Sequence, residues 1–326
     1  MKKWTFILLI LLLTFIISGC SRESNASAVA NKTKIGIMLS DNGLGDQSYS
    51  DAGFTGLERA RDELGIIFDY REIGDEENYL TGLQELVNQN NELIIGLGYT
   101  IENDLAQIAE ENPEQQFVII DGSVDLPNVV NVNFKEEEGS FLIGALAGLK
   151  TESDIVAFVG GDDTPLIHKF EKGFTQGVEA TNPEAKVLTR YAGTFGDDQI
   201  GADIAADLIE DGADLIFPSA GFTGVGVIQQ AEKAGIYSFG VDSDQFYLGE
   251  DTVITSMMKN IDTAVYNLVA NLVEDGAITN DDIELGLSEE GVGLAPIRII
   301  NLVSDEKEQL HDLTEAIKNN ELTVDK

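Results

Sequence analysis

Short apolar runs alternate with amphipathic segments along most of the chain. The run KIGIML at residues 34–39 precedes a segment with helical spacing of its apolar positions at residues 49–64, and the alternation continues to FVIID at residues 117–121. A second series extends from DIVAFVGG, residues 154–161, to YSFGVDSD, residues 237–244. Continuous Val, Ile and Leu runs are typical of strands that are buried on both faces of a parallel sheet. The pattern therefore predicts an α/β protein with two doubly wound units, one in each of two lobes.

The N-terminus has a different pattern. MKK precedes an apolar run over residues 4–17, about 14 residues long, which is shorter than the roughly 20 residues of a membrane-spanning helix and is typical of a signal peptide. Small residues then precede Cys20 in IISGC, which resembles the lipidation site of a bacterial lipoprotein. We expect a signal peptide over residues 1–19, followed by a lipid-bearing Cys20 at the membrane and a polar tether over residues 20–33. The alternative is an ordinary signal peptide, or an uncleaved anchor, with an unrelated cysteine.

The composition is strongly acidic, with 58 Asp and Glu against 20 Lys and Arg and a formal net charge of −38. Binding to a phosphate backbone needs clustered Lys and Arg, so we expect no nucleic-acid partner. Acidic runs such as KEEEGS, residues 135–140, are interpreted as solvated surface. Two His and one Cys exclude a disulfide framework and make a zinc centre a poor hypothesis, and we expect neither metal nor cofactor.

Carboxylates follow three of the predicted strands, as Asp41, Asp121 and Asp242. Ligands of open parallel sheets bind outside the carboxyl ends of the strands, and an unpaired buried charge there is costly. Helix capping is the alternative for any one of the three, but three in equivalent places indicate a shared use. Carboxylates accept hydrogen bonds from vicinal hydroxyls and repel phosphate, so the expected ligand is neutral, hydroxylated and partly aromatic.

Two aromatic residues also follow strands, Tyr49 in the first unit and Phe222 in the second. They could stack on a planar ring, and core packing is the alternative. Lys259 follows another strand-like run and could balance the carboxylates, unless it is a surface lysine. No nucleophile and base pair is visible, and GFTGVG at residues 221–226 lacks the G-x-G-x-x-G spacing of dinucleotide sites. An enzyme is therefore the weakest functional hypothesis.

Taken together, these segments resemble the basic membrane protein family of lipoproteins, which are ABC-transporter substrate-binding proteins of the purine-nucleoside-receptor type. The resemblance extends from about residue 34 to residue 296. Among the segments that carry it are GDQSYSDAGFTGL (45–57), EEEGSFLIGALAG (136–148), GVDSDQ (240–245), TSMMKNIDTAVY (255–266) and GVGLAP (291–296).

The resemblance implies a two-lobed type I periplasmic-binding-protein fold with three inter-lobe crossovers, near Asn133, Thr252 and Gly286. We expect lobe I to contain residues 34–134 and 252–286, and lobe II residues 135–251 and 287–326. A nucleoside, with a purine favoured, would be captured by hinge closure on the extracytoplasmic face of the cell membrane. It would then pass to ABC permease and ATPase subunits, with the receptor acting as a monomer.

The resemblance also implies a set of ligand contacts in this sequence. Ser50 stands where the family loop usually has Asn, and it joins the set. The implied ligand-binding residues are Asp41, Tyr49, Ser50, Asp121, Phe222, Asp242 and Lys259. Two alternatives remain open: the same fold binding a sugar or another small polar solute, and a surface-anchored regulatory or sensory protein without a transport role.

Overall fold

The computed structural model describes residues 32–73, 78–279 and 282–326. The predicted signal peptide, Cys20 and nearly all of the predicted tether lie outside these residues. Within the described residues, no helix combines the length and apolar character needed to cross a membrane.

The first sheet has six strands in the spatial order 2-1-3-4-5-11, all paired in parallel. These strands are β1 Lys34–Met38, β2 Ile67–Arg71, β3 Leu93–Leu97, β4 Gln116–Ile120, β5 Val129–Phe134 and β11 Ile283–Leu285. The helices of this unit are α1 Tyr49–Leu64, α2 Leu80–Asn88, α3 Glu102–Glu111 and α8 Ile261–Asp275, with a 3₁₀ turn at Tyr99–Ile101. We call this sheet and its helices lobe I.

The second sheet repeats the topology with the order 7-6-8-9-10-12, in which only β12 is antiparallel to its neighbour. Its strands are β6 Ile155–Gly160, β7 Lys186–Tyr191, β8 Leu215–Ser219, β9 Tyr237–Asp242, β10 Val253–Lys259 and β12 Val292–Leu294. Its helices are α4 Glu136–Lys150, α5 Pro165–Thr181, α6 Asp198–Glu210, α7 Gly221–Ala234 and α9 Ser304–Lys318, with a 3₁₀ turn at Phe246–Leu248. We call this unit lobe II. The repeated strand order confirms the predicted pair of doubly wound units.

Both faces of each sheet are covered by helices. In lobe I, Ile35 and Ile37 pack into one apolar cluster, whereas Met38 and Ile94 pack into another. All four side chains are completely buried. Burial on both faces is the reason that the strands appear in the sequence as continuous apolar runs rather than as an alternating pattern.

Over residues 32–73, 78–279 and 282–326, the chain passes between the lobes three times, after β5, after β10 and after β11. The first and third passages lie close to Asn133 and Gly286. The second differs from the expectation at Thr252, because β10 pairs in parallel with β9 and so belongs to lobe II. An apolar strand after a turn can join either sheet, and residues 253–259 join the sheet of lobe II. The correction places Lys259 on lobe II.

Candidate ligand-binding site

The carboxyl ends of the strands from both lobes face each other across a cavity of about 90 Å³. This volume is several times the space that one water molecule needs. Lobe I contributes Ser40, Tyr49 and Asp121 to the walls, and lobe II contributes aromatic and charged side chains that include Phe170 and Lys259. The site is therefore built between the lobes, and each wall is carried by its own sheet.

Two aspartates occupy equivalent positions in the two lobes. Asp121 directly follows β4 and Asp242 ends β9, and their side chains are nearly or completely buried at the cavity. Both have left-handed backbone conformations, with φ of 61° and 62°. Asp is one of the few residues besides Gly that visits this region, and strained backbone of this kind clusters at binding sites. The two carboxylates thus line opposite walls of the same cavity.

Lys259, at the end of β10, joins the lobes through a buried ion pair. Its Nζ lies 2.5 Å from Asp121 Oδ2 in lobe I and 2.8 Å from Glu136 Oε1 in lobe II. The ammonium also lies 5.0–5.7 Å from the ring centroids of three aromatic residues, Tyr49, Phe134 and Phe170. Burial alone would lower the pKa of Lys259, but Asp121, Glu136 and Asp242 together raise it well above the ordinary value. The lysine therefore stays charged.

The carboxylates around Lys259 respond differently to burial. Burial raises the pKa of Asp242 to about 6, although Lys259 opposes the rise. Burial also raises the pKa of Asp121, again opposed by Lys259. Glu136 lies between Lys259 and Lys169, whose Nζ is 3.0 Å from Glu136 Oε2, and these two cations lower its pKa against the effect of burial. Three carboxylates share two ammonium groups, so the ionised cluster carries one excess negative charge.

The loop before α1 is held in place by Asp46. This buried carboxylate accepts hydrogen bonds from the backbone N–H groups of Ser48, Ser50 and Asp51 at 3.0, 2.7 and 3.2 Å. These are among the N–H groups that a helix start leaves without partners. The loop therefore presents Tyr49 and Ser48 to the cleft from a fixed backbone.

Tyr49 is fixed a second time through its hydroxyl, which donates to the carbonyl oxygen of Ile120 at 3.0 Å. The same hydroxyl lies beside Asp121, and burial together with the Asp121 charge raises the pKa of Tyr49 well above its ordinary value. Asp121 Oδ1 is fully buried and has no hydrogen-bond partner among the described residues. The cavity therefore contains one unused carboxylate acceptor.

Five of the seven ligand-binding residues expected from the sequence line the cavity: Asp41, Tyr49, Asp121, Asp242 and Lys259. Ser50 is fully buried behind the wall and shares a hydrogen bond with Ser40, with 2.7 Å between the two Oγ atoms. Phe222, the second residue of α7, is half-buried and is not among the residues that line the cavity. Lobe II presents Phe170 and Phe195 instead.

The sequence analysis missed two buried polar residues near the site. Ser48 of lobe I donates a short hydrogen bond to Asp242 Oδ2 of lobe II. Glu136 was interpreted as solvated surface within KEEEGS, but it is completely buried, and Glu137 is 2% exposed. That interpretation was wrong, and the available signal was position: KEEEGS directly follows β5, at the strand edge where ligands bind. In the stretches that the structure describes, no group of three or more His, Cys, Asp or Glu could hold a metal ion.

The family model described as ABC transporter substrate-binding protein PnrA-like, Bmp, matches residues 32–326. The chain belongs to the Bmp family. It is 33% identical over 325 residues to a CD4+ T-cell-stimulating antigen of Listeria monocytogenes, covering 90% of this chain and 91% of the relative. It is 28% identical over 336 residues to the ABC transporter nucleoside-binding protein BmpA of Lactococcus lactis subsp. cremoris, covering 95% and 94%.

Membership in the Bmp family confirms the resemblance found in the sequence. A solved ABC transporter solute-binding protein from Aeropyrum pernix K1 superposes with a TM-score of 0.80 at 22% identity, covering 89% of this chain and 92% of that one. This likeness confirms the type I periplasmic-binding-protein fold. The Bmp-family chain is thus a substrate-binding protein of an ABC transporter and not an enzyme. This role implies a small-molecule ligand and permease and ATPase partners.

Proposed function

We propose that the protein captures a nucleoside, with a purine base favoured, between lobes I and II and delivers it to the permease of an ABC importer. The name of the Lactococcus relative as a nucleoside-binding protein supports the ligand class. The chemistry of the cavity supports it independently, through its acceptors, its aromatic surface and its charge.

The observation that carries the proposal is the unused acceptor on Asp121. A buried carboxylate oxygen without a partner costs at least about 1–3 kcal/mol, and a ligand hydroxyl that donates to it removes this cost. Asp242 lies on the opposite wall, with one oxygen already bonded to Ser48. Two carboxylates that face each other across the cavity suit a ligand with several hydroxyls, such as the ribose of a nucleoside.

The aromatic walls favour a nucleoside over a simple sugar. The Tyr49 ring is held by its bond to Ile120, and Phe170 and Phe195 line the cavity from lobe II. Stacking of a base on an aromatic side chain contributes about 1–3 kcal/mol. A sugar would satisfy the carboxylates but would leave this flat apolar surface without a matching partner.

The charge of the site disfavours a nucleotide. Among the described residues, Lys259 is the only lysine that lines the cavity, and it is already bonded to two carboxylates. A phosphate group would therefore meet the excess negative charge of the cluster without a free cation. We infer that the site selects uncharged, dephosphorylated nucleosides.

Titration calorimetry with a panel of ligands tests the ligand class. We expect adenosine, guanosine and inosine to bind more tightly than cytidine and uridine. Ribose and adenosine monophosphate should bind at least about 100-fold more weakly than the best nucleoside. Ribose lacks the base that stacks on the aromatic walls, and the phosphate of adenosine monophosphate meets the excess negative charge of the site. The chain from residue 21, unfolded and refolded to remove carried-over ligand, is the sample. Absence of heat with every nucleoside, or ribose binding as tightly as a nucleoside, would contradict the proposal.

We also infer that Cys20 bears the lipid that holds the monomeric receptor at the extracytoplasmic face of the cell membrane. The apolar run and the small residues before Cys20 support this inference. Mass spectrometry of the N-terminal peptide from the native membrane fraction should show a lipid on Cys20 and no preceding residues. Cys20→Ala should keep the leader and lack the added mass, whereas Ser21→Ala should behave like the wild type. An unmodified Cys20 in the wild type would exclude the lipid anchor. Light scattering gives the molar mass in solution and so tests whether the receptor is a monomer.

A further inference from the structure

The segment GVDSDQ contains a buried polar side chain that lies outside the cavity. Gln245 is 1% exposed, yet it is not among the residues that line the cavity. We propose that Gln245 is a positioning residue that latches the two lobes together and aligns Asp242 without touching the ligand. The proposal rests on the proposed function of the cleft as a nucleoside site that closes around its ligand.

Two hydrogen bonds fix Gln245 within lobe II. Its side-chain Oε1 accepts from the backbone N–H of Val241 at 2.9 Å, and its own backbone N–H donates to Ser256 Oγ at 3.0 Å. Val241 directly precedes Asp242, whose backbone is left-handed. The Gln245 side chain therefore braces the strand end that carries the ligand-facing carboxylate.

A third hydrogen bond crosses the cleft. Gln245 Nε2 donates to the carbonyl oxygen of Gln47 in lobe I at 3.0 Å. The partners on both sides fix the orientation of the amide, because Val241 offers only a donor and the Gln47 carbonyl only an acceptor. We call this contact the Gln47–Gln245 latch.

The latch lies beside the Ser48–Asp242 contact, because Gln47 directly precedes Ser48. Gln47 has a left-handed backbone with φ of 55°, and its N–H donates to Asp51 Oδ2 at 3.0 Å. A loop held in this conformation delivers both the Gln47 carbonyl and the Ser48 hydroxyl to lobe II. Closing the latch thus places Ser48 on Asp242.

Two weaker contacts accompany the latch at Gln47. Ser243 Oγ donates to the Gln47 carbonyl oxygen at 3.4 Å, and Tyr247 Oη donates to Gln47 Oε1 at 3.3 Å. Tyr247 is 59% exposed, so its contact is open to water and contributes little. Neither residue lines the cavity. Both contacts cross the cleft between the lobes. Interactions outside the cavity that favour the closed state add to the apparent affinity for any ligand that needs that state.

Gln245→Glu removes the Gln47–Gln245 latch but keeps the hydrogen bond that the side chain accepts from the Val241 N–H. The carboxylate still accepts from the Val241 N–H, but it has no proton for the Gln47 carbonyl and faces it with an oxygen. We expect Kd for the best nucleoside of the panel to rise about 10- to 100-fold, mainly through faster dissociation. Tyr247→Phe, which removes only the exposed contact, should change Kd less than about threefold.

Hydrogen exchange on the unliganded full chain gives a readout that needs no ligand. We expect the amides of residues 45–51 to exchange faster in Gln245→Glu than in the wild type, whereas the amides of β1 remain unchanged, because lobe I itself stays folded. If the wild type binds no nucleoside, this comparison still tests the latch. Equal exchange in the two proteins would overturn the latch, and so would a weaker Kd with an unchanged dissociation rate. If Gln245→Glu does not fold, Gln245→Ala should show the same two changes.

Discussion

Lys259→Met should lower the free energy of unfolding by about 3–5 kcal/mol and weaken nucleoside binding by at least about 100-fold. Removal of the ammonium leaves Asp121 and Glu136 as buried carboxylates without their shared partner. Lys259 also opposes the rise in the pKa of both Asp121 and Asp242, so its loss raises the pKa of each further and favours protonation. A protonated carboxyl group is a weaker acceptor for ligand hydroxyls. Urea unfolding and titration calorimetry measure the two effects.

The matched control is Lys307→Met, on the exposed surface of α9. It should change the free energy of unfolding by less than about 0.5 kcal/mol. The double variant Lys259→Met/Asp121→Asn should recover part of the lost stability, because one of the two buried carboxylates that lost their cation is then a neutral amide. Wild-type stability in Lys259→Met, or no recovery in the double variant, would mean that the buried ion pair does not hold the site together.

The fold could be predicted from the sequence because each strand is a continuous apolar run and each run is followed by a segment with helical spacing. Such a pattern is compatible with few chain topologies, because parallel strands joined by helices must form a sheet whose faces are covered by those helices. The exception is β10. Its apolar residues fit either sheet, and only the pairing with β9 decides that Lys259 belongs to lobe II.

The site could be predicted in part because the ends of parallel strands meet at one edge. That rule identified Asp121, Asp242 and Tyr49 correctly as residues that come together at the cavity. It could not identify contacts made across the cleft, such as Ser48 on Asp242 or Gln245 on Gln47, because these depend on how two separately folded lobes meet. The aromatic wall of lobe II likewise depends on the loop after β7, which places Phe195 at the cavity.

Asp242→Asn should stabilise the unliganded protein at neutral pH while it weakens nucleoside binding by about 100-fold or more. Burial raises the pKa of Asp242 from its ordinary value of 3.8 to about 6. A group whose pKa is raised on folding contributes stability below its unfolded pKa, and this contribution is lost as pH rises through its folded pKa. A shift of about two units corresponds to about 3 kcal/mol, which the wild type loses between about pH 4 and pH 7.

The asparagine carries no charge, so its stability should not show this loss. Urea unfolding at pH 4 and pH 7.5 should therefore find the two proteins similar at the acidic pH and Asp242→Asn more stable by about 3 kcal/mol at the higher pH. Binding should move in the opposite direction, because hydrogen bonds from ligand hydroxyls to a charged acceptor contribute about 1.5–3 kcal/mol each. Asp207→Asn, at an exposed position of α6, is the control and should alter neither quantity. If Asp242→Asn instead lost stability at both pH values, Asp242 would serve the fold rather than the ligand. A buried charge that is kept for binding should give higher stability and weaker affinity when it is removed.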